Sequence, residues 1–227
     1  MGVITISREY GSDGQAIGLE VSKILNYTFM DKDLLLEVAH EAQVPLCVLK
    51  GLDENPENPV LRVLRKFLTP DYAGTFAGLS GYEWWTTSTI PASFVQSNLG
   101  ITQLNEEKFV DTVQQVIFRL GEQGNMVFLG RGSPMVLKDF PNILKVRLIA
   151  SLENRCKKIS EQESIALELA LKKIKKIDQQ RKLYIKRYYQ SNWDDSSLYH
   201  LIINTGKTGS KTAIQTIVEA ARNFFVT

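Results

Sequence analysis

The sequence predicts an α/β fold built on a doubly wound parallel sheet, and three observations lead to this. Short runs that are almost wholly apolar, such as 126–129 and 201–203, recur along the chain. Longer stretches with apolar residues at helical spacing separate them. Strands that are apolar on both sides need cover on both faces, which a parallel sheet between helices provides. A chain of 227 residues suits a single domain with at most a mobile subdomain.

The first elements predicted are a strand, a glycine-rich turn and a helix. Residues 3–6 are apolar and β-branched, three glycines follow, and apolar residues then recur at helical spacing as far as Leu25. A brief second strand ends at Asp31, whose carboxylate suits the N-cap of another helix. A phosphate-binding or nucleotide-binding turn often has this order of elements.

Residues 69–105 break the regular alternation. Glycines alternate there with aromatic residues, including Trp84 and Trp85, and no period emerges. The sequence therefore predicts an aromatic-rich insertion, and we favour packing onto a core over stacking on bases for its two tryptophans.

The second half of the chain predicts further strands and helices. A helical pattern from Phe109 stops at Gly121 or Gly124, and buried strands follow at 126–129 and 144–149.

Ser151 then suits the N-cap of a basic helix. A long helical pattern runs from Ser164 to about Tyr189, a last strand covers 198–203, and an amphipathic helix closes the chain. The apolar face of the long helix is predicted to carry Ile165, Leu169, Ile174 and Ile177.

Composition excludes several classes of protein. Apolar residues make up 44% and charged residues 23% of the chain, which excludes disordered and low-complexity proteins. No apolar run approaches the length of a membrane span, and no basic and apolar leader opens the chain, so a cytoplasmic location is expected. Cys47 and Cys156 are far apart and are expected to be structural thiols. His40 and His200 lie near no nucleophile motif, and no metal-ligand spacing occurs.

Positive charge is concentrated in residues 155–187. This stretch holds eleven Lys or Arg and four Asp or Glu, whereas the whole chain carries a net charge of only +2. Either a solvated helix face or a surface that meets anions such as phosphate would account for the excess.

The loop at residues 7–16 follows the first strand and could bind phosphate. Its glycines allow backbone N–H groups to approach an anion, and the following helix adds the positive end of its dipole. The usual pattern is G-x-x-x-x-G-K-[ST], and aligning its second glycine on Gly14 places Glu9, Gln15 and Ala16 at the other three signature positions. A purely structural glycine-rich turn therefore stays open as the alternative.

Three other groups of residues are candidates for binding a ligand, and the first of them follows a strand, where such sheets bind ligands. Arg131 stands between two glycines after the strand 126–129, and its planar guanidinium suits a phosphate or a base edge. Asp178 and Arg181 can pair on one side of the long helix. Asp194 or Asp195 could bind ribose hydroxyls or cap a turn.

Taken together, several motifs resemble the cytidylate kinase-like family, and they occur in that family's order. The resemblance covers about residues 3–50 and 106–225. It rests on the segments Ile4 to Gly14, Asp31 to Leu34, Gly130 to Gly132, Asp178 to Arg181 and Trp193 to Tyr199.

The resemblance implies a P-loop nucleoside monophosphate kinase with a helical lid at about 160–195. It implies ATP with Mg²⁺ as the phosphoryl donor and CMP or dCMP as the acceptor. ATP would lie on Arg8, Gly11, Ser12, Asp13, Gly14, Gln15 and Ala16. The acceptor would lie near Asp31, Lys32, Arg131, Asp178 and Asp195, and Arg131, Arg181 and Arg187 would act on the phosphates as catalytic residues.

Two departures from the family pattern leave other functions open. The family loop commonly reads R-E-Y-G-S-G-G-R, with a cation where Gln15 stands, and its last strand often has Asp where His200 stands. A non-catalytic nucleotide-binding relative is the first alternative. The second is nucleic-acid binding through the basic stretch with stacking from Tyr188, Tyr189 and Trp193, although we expect nucleotides and neither nucleic acids nor membranes as partners. The acceptor base and the oligomeric state stay open.

Overall fold

A computed structural model describes residues 2–31 and 106–225 of the chain. The chain divides into two compact units, one made of Met1–Leu34 with Gln114–Thr227 and the other of Leu35–Val113. All the contacts reported below lie within the first unit. The predicted helix after Asp31, the insertion at 69–105 and residues Lys32, His40 and Cys47 lie outside the described residues, and the single-domain arrangement stays a prediction.

The described strands form one parallel sheet. In chain order they are β1 (Val3–Arg8), β2 (Thr28–Met30), β3 (Met126–Leu129), β4 (Ile143–Ile149) and β5 (Leu201–Asn204). Their order across the sheet is β2-β3-β1-β4-β5, and every neighbouring pair is parallel. Strand β1 is central, with Ile6 in register with Leu129 on one side and with Val146 on the other. The predicted α/β doubly wound sheet is confirmed.

Six helices are described between and after these strands. They are α1 (Gly14–Leu25), α2 (Glu106–Gln123), α3 (Ser133–Val136), α4 (Leu152–Glu163), α5 (Leu167–Tyr189) and α6 (Thr205–Phe224). Ser151 caps α4 as predicted, since its side chain accepts a hydrogen bond from the N–H of Asn154. A short 3₁₀ turn at Ser196–Leu198 precedes β5.

The period of two along the strands divides the core between the two faces of the sheet. Ile4 and Ile6 of β1 face a cluster that includes Ile17 of α1 and Ile217 of α6. The alternate residues of β1 and β4 face the other side, where a second cluster of Met135, Ile185 and Trp193 lies. Both faces are covered, which explains why the strands are apolar on nearly every residue.

The long basic helix is present but begins at Leu167, later than the predicted start at Ser164. Ser164 has a left-handed backbone with φ 53°, and the hydroxyl of Ser160 donates to the carbonyl of Ile165 at 2.6 Å. The new helix α5 begins at Leu167, which turns Leu169 outward to 55% exposure and buries Ala170. Ile174 and Ile177 are buried as predicted.

The last strand is shorter than predicted. Asp195 accepts hydrogen bonds from the N–H and the hydroxyl of Ser197 at 2.9 and 2.8 Å and caps a 3₁₀ turn that runs to Leu198, the first residue of the predicted strand. Strand β5 consequently begins at Leu201. Helix α6 starts directly after β5 and has a kink at Gly209, which has φ 75° and ψ 161°.

Helix α3 was not anticipated from the sequence. Gly130, Arg131 and Gly132 have positive φ in succession, which turns the chain sharply after β3, and Pro134 then suits the first turn of a helix. Among the described residues, no helix is long and apolar enough to cross a membrane.

Candidate functional site

The loop after β1 is fastened to the end of β4. The N–H of Glu9 donates to the carbonyl of Leu148 at 3.0 Å, and one carboxylate oxygen of Glu9 accepts from the N–H of Ala150 at 3.0 Å. Within the loop, the N–H and the hydroxyl of Ser12 both donate to the carbonyl of Glu9, at 3.3 and 2.8 Å. These bonds close a tight turn at the carboxyl edge of the sheet, where ligands bind in this class of fold.

Helix α1 begins immediately after this turn and points its first turn at the same edge. Gly14, Gln15 and Ala16 supply the first backbone N–H groups, which have no acceptor inside the helix. Asp13 occupies the N-cap position, yet its side chain makes no capping hydrogen bond. Gln15 and Ala16 are exposed. The start of α1 therefore offers uncapped N–H groups and the positive end of a helix dipole.

The carboxylate of Asp13 makes no capping hydrogen bond to α1 and binds side chains of two other helices. Its backbone is left-handed, with φ 64°. One oxygen pairs with the ammonium of Lys158 on α4, and the other accepts from the hydroxyl of Ser210 on α6 at 2.8 Å. Two helices thus meet the loop at this carboxylate.

Arg8 connects the loop after β1 with the loop after β3. Its stem crosses Gly14, where an added Cβ would lie 2.6 Å from the Arg8 Cγ. Its guanidinium lies against Gly130, where an added Cβ would lie 1.9 Å from Nη1. The Arg8 stem leaves no room for a side chain at position 14, and at position 130 the φ of 71° also favours glycine.

Arg131 follows Gly130 in the turn after β3. Its own backbone is left-handed, with φ 57°, as are its two glycine neighbours, and the residue is partly buried. The N–H of Gly130 donates to the carbonyl of Ile6 at 2.9 Å, which fixes the start of the turn to β1. Arg131 is close enough to Tyr184 of α5 for its charge to oppose the rise in the pKa of that hydroxyl, which burial raises overall.

Tyr10, at the tip of the first loop, is held by the lid. Its N–H donates to a carboxylate oxygen of Asp178 at 2.9 Å, and its hydroxyl donates to Glu163 at 2.7 Å. Arg155 donates through Nη1 to the Tyr10 carbonyl at 3.1 Å and to the other oxygen of Asp178 at 2.6 Å. Arg155 is buried, so this arrangement is a desolvated, charge-assisted network.

Arg181 reaches the same loop from one turn further along α5. Its Nη1 donates to the carbonyl of Arg8 at 2.7 Å and lies 3.9 Å from Asp178, so the predicted pairing of Arg181 with Asp178 is present at the edge of ion-pair distance. The guanidinium also lies 5.8 Å from the centre of the Tyr10 ring.

The end of α5 packs on the turn after β3. The ring of Tyr189 fills the space beside Gly132, where an added Cβ would lie 2.4 Å from the ring. The hydroxyls of Tyr184 and Tyr189 are 3.4 Å apart. Burial raises the pKa of both, so both phenols stay neutral at ordinary pH.

A buried arginine lies beneath the connection from α5 to β5. Arg147 of β4 donates to the carbonyl of Trp193 at 2.6 Å and to Asp194 at 2.8 Å, and its guanidinium lies 4.1 Å from the centre of the Trp193 ring. The indole N–H of Trp193 donates to the hydroxyl of Ser7 at 2.8 Å. This network joins the end of the lid to the last residues of β1, and it buries Trp193 to 4% exposure, so this ring offers no open surface for stacking on a base.

The sequence-predicted site residues fall into three groups. The loop residues 8 and 11–16, together with Arg131, Asp178 and Arg181, lie in the two glycine-containing loops and the lid helix bound to them. Asp31 ends β2 at the same edge of the sheet and is buried to 6% exposure. Arg187 is exposed in the last turn of α5, Asp195 is exposed and caps the 3₁₀ turn, and Lys32 lies outside the described residues.

Arg155, Lys158, Ser210 and Arg147 contact the site or its support and were not singled out from the sequence. Arg155 and Lys158 follow the Ser151 cap at positions 155 and 158, so they share one face of α4, and this spacing was the available signal. Arg147 was visible, with Lys145, as a charge within a mainly apolar strand. No sequence pattern indicates Ser210, because its contact with Asp13 joins residues 197 positions apart.

Comparisons with known proteins point to one family. A family model described as the cytidylate kinase-like family matches residues 3–207. The chain is 30% identical to a cytidylate kinase of Methanococcus vannielii over 132 residues, which is 57% of this chain and 71% of that protein. It is 37% identical to a cytidylate kinase of Methanocaldococcus jannaschii over 90 residues, which is 39% of this chain and 51% of that protein.

Solved structures show the same fold. A protein of Eubacterium ventriosum is similar with a TM-score of 0.65 at 20% identity, over 98% of this chain and 99% of that one. A shikimate kinase of Bacteroides thetaiotaomicron is similar with a TM-score of 0.50 at 13% identity, over 97% and 98% of the two chains. The predicted P-loop kinase type of sheet is confirmed at the level of fold.

Proposed function

Because the chain belongs to the cytidylate kinase-like family, we propose that it transfers the terminal phosphoryl group of Mg–ATP to a nucleoside monophosphate. The observation that carries this proposal is the joining of two glycine-containing loops at one edge of the sheet, with Arg8 laid across both and Arg181 of the lid bonded to the first. Phosphoryl transfer requires mainly positioning and positive charge around the phosphates, and it needs no protein nucleophile.

The donor phosphates would bind at the start of α1. The N–H groups of Gly14, Gln15 and Ala16 are uncapped there and can donate to an anion. Asp178 is proposed to hold this loop rather than to meet the substrate, since its two oxygens accept from Tyr10 and Arg155. It would thereby keep the loop in its binding conformation.

The arginines would stabilise charge on the transferring group. Arg131 lies in the loop that faces the lid, and Arg181 lies on the lid helix within 2.7 Å of the loop carbonyl of Arg8. A guanidinium at a fixed position stabilises the charge that develops on phosphoryl oxygens without reorganising during the reaction. Arg187 is exposed, and in this proposal it would act only by moving towards the phosphates when substrate is bound.

Mg²⁺ would enter as part of the donor substrate. Ala16 stands where a hydroxyl ligand is usual, and among the described residues no group of three or more His, Cys, Asp or Glu side chains could hold a metal ion. Mg²⁺ commonly keeps several waters and binds through substrate phosphates, which fits a site without a dedicated protein cage.

We propose CMP or dCMP as the acceptor, on the basis of the relatives that are named as cytidylate kinases. Asp31 is buried at the carboxyl end of β2, and Arg131 follows the neighbouring β3. A buried carboxylate beside an arginine loop suits an acceptor that has both hydrogen-bond donors and a phosphate.

The experiment is a product assay. Purified protein at high concentration is incubated with Mg–ATP and each nucleoside monophosphate, in ribose and deoxyribose forms, and products are separated chromatographically. We expect ADP together with CDP or dCDP. Arg181→Met should lower kcat about a hundredfold, whereas exposed Lys175→Met on the same helix should leave it unchanged. Absence of product from every acceptor, with folded protein, would contradict the proposal.

A non-catalytic nucleotide-binding protein is the second candidate. Gln15 and Ala16 replace the cation and hydroxyl of the usual loop, and Asp13 adds a carboxylate to it. This candidate predicts that nucleotides raise the thermal midpoint of unfolding although no product forms.

A further inference from the structure

The first loop has no cation at position 15, but a lysine from another helix contacts the loop close to that position. The ammonium of Lys158, on α4, pairs with the carboxylate of Asp13, the residue immediately before α1. The usual phosphate loop places a lysine at the position of Gln15, two residues later. A neutral, exposed amide at that position cannot attract phosphate as an ammonium does.

Lys158 has the capacity to bind an anion while it keeps its pair with Asp13. An ammonium carries three N–H donors, and within the described part of the chain Asp13 is the partner that the structure gives it. The side chain is 33% exposed and the Asp13 side chain 21% exposed, so solvent and ligands can reach the pair.

Asp13 is itself held in a way that fixes the ammonium. Its second oxygen accepts from the hydroxyl of Ser210 at 2.8 Å, so the carboxylate is fixed from both sides. Its left-handed backbone, with φ 64°, turns the side chain towards α4 and α6. Asp and Asn adopt this conformation more readily than other residues except glycine.

Building on the proposed function, we propose that Lys158 binds the phosphates of the nucleotide at the first loop in place of a cation at position 15, and that Asp13 and Ser210 position its ammonium. Lys158 is then a nucleotide-binding residue, and Asp13 and Ser210 are positioning residues. The acidic residue in this loop thereby serves anion binding, since it holds a lysine where that lysine can meet the phosphates.

The first experiment measures binding without turnover. The dissociation constants of Mg–ATP, ADP, AMP and adenosine are measured by calorimetry for the wild type and for Lys158→Met. We expect Lys158→Met to weaken Mg–ATP and ADP about tenfold or more, which corresponds to one charged hydrogen-bonding group, and to leave adenosine nearly unchanged. Lys158→Arg should retain most of the affinity because it keeps the charge.

Lys157, the neighbour of Lys158 on α4, provides a matched control. Lys157 is 62% exposed and pairs with Glu153 along α4, so Lys157→Met removes the same charge without touching the loop. It should change the Mg–ATP affinity less than twofold, whereas a general electrostatic effect of the basic stretch would weaken both variants alike and would overturn the proposal.

A compensating substitution tests directly whether Lys158 takes the place of a cation at position 15. Gln15→Lys in the Lys158→Met background should recover most of the lost Mg–ATP affinity, and the same substitution in the wild type should gain less. Asp13→Asn keeps Lys158 but removes its ion pair, so it should weaken Mg–ATP less than Lys158→Met does. Failure of Gln15→Lys to recover affinity would contradict the proposed exchange.

The binding assay separates this inference from the proposed function. Wild-type protein that binds Mg–ATP but yields no product refutes the kinase proposal, and Lys158 is then judged from affinity alone. If Lys158→Met binds Mg–ATP as tightly as the wild type does, the inference is wrong even where product forms. Wild-type protein that binds no nucleotide refutes both.

Discussion

The packing of the end of α5 on the turn after β3 depends on a single glycine, Gly132. Its backbone has φ 75°, and the ring of Tyr189 occupies the position of its missing side chain. Gly132→Ala should therefore lower the free energy of unfolding by about 1–3 kcal/mol, through left-handed strain and the clash with the ring. The measurement is the urea midpoint.

The clash can be separated from the strain by a double-mutant cycle. Tyr189→Ala alone removes a packed ring, whereas in the Gly132→Ala background it also relieves the clash. The double variant should therefore lose less stability than the sum of the losses in the two single variants. Additive losses would show that Tyr189 does not contact residue 132 in solution.

Some roles of single residues could be predicted from the sequence alone. Ser151 was expected to be a helix cap because Ser accepts from the first turn of a helix, and this depends only on neighbours in the chain. The partners of Asp13 were not foreseen, because Lys158 and Ser210 are 145 and 197 positions away. Local chemistry predicts caps and turns, and distant ion pairs depend on tertiary packing.

Among the elements, the connection from α5 to β5 is held by one buried arginine of β4. Arg147 and Lys182 both pair with Asp194, but their side chains are 5% and 45% exposed. Arg147→Met should cost about 2–4 kcal/mol, since it removes one of the two donors to the buried Trp193 carbonyl, leaves Asp194 without its buried partner and removes the cation that stacks on the Trp193 ring. Lys182→Met should cost less than about 1 kcal/mol because its pair is exposed to water. Equal losses in urea unfolding would contradict this assignment.

The residue before β5 makes stability depend on pH. Partial burial, followed by the positive charge of Lys145, lowers the pKa of His200 below its ordinary value of 6.5, and its ring stacks on Phe224 at 5.2 Å. The unfolded chain therefore binds a proton more readily than the folded protein does. The stability from neutral His200 is complete above pH 6.5 and is lost as the pH falls below it.

Urea unfolding at pH 7.5 and 5.5 checks this dependence. We expect the wild type to lose stability at the lower pH and His200→Gln to lose less, because the amide does not titrate in this range. An identical loss in the two proteins would assign the pH dependence to other groups.

The elements that differ from the expectation do so because turns override periodicity. The pattern from Ser164 to Tyr189 reads as one helix, but Ser164 is left-handed and the next helix begins only at Leu167. In the same way, the 3₁₀ turn that Asp195 caps extends to Leu198, the first residue of the predicted last strand, and β5 begins only at Leu201. Apolar spacing predicts the elements, whereas side-chain hydrogen bonds set where they begin.

For the whole molecule, charge pairing bears on the choice between nucleotides and nucleic acids. Arg155, Lys173 and Lys182 of the basic stretch pair with carboxylates outside the start of α1, where the phosphates are proposed to bind, and Trp193 is buried. We expect a fluorescent single-stranded oligonucleotide to show no binding at 150 mM salt, while Mg–ATP still binds. Tight oligonucleotide binding that weakens steeply with salt would instead support a nucleic-acid partner.

The overall architecture was predictable because it depends on burial of apolar strands, which the sequence displays directly. The order of the strands was not stated in advance, since all five strands are similarly apolar and only tertiary contacts select their neighbours. The loops of the site could be predicted because they follow the ends of strands. The helices that hold these loops could not be predicted to do so, because they act through long-range hydrogen bonds such as that from Tyr10 to Asp178.

Those long-range bonds have a consequence for the kinetics of folding. The hydrogen bond from Trp193 to Ser7 spans 186 positions, and the one from Ser210 to Asp13 spans 197. Closing such large loops is slow, and a parallel sheet offers no hairpin to start from. During refolding from denaturant, helical circular dichroism should therefore return before the ability to bind a nucleotide, so a newly made chain stays without a working site until almost its whole length has been synthesised and packed.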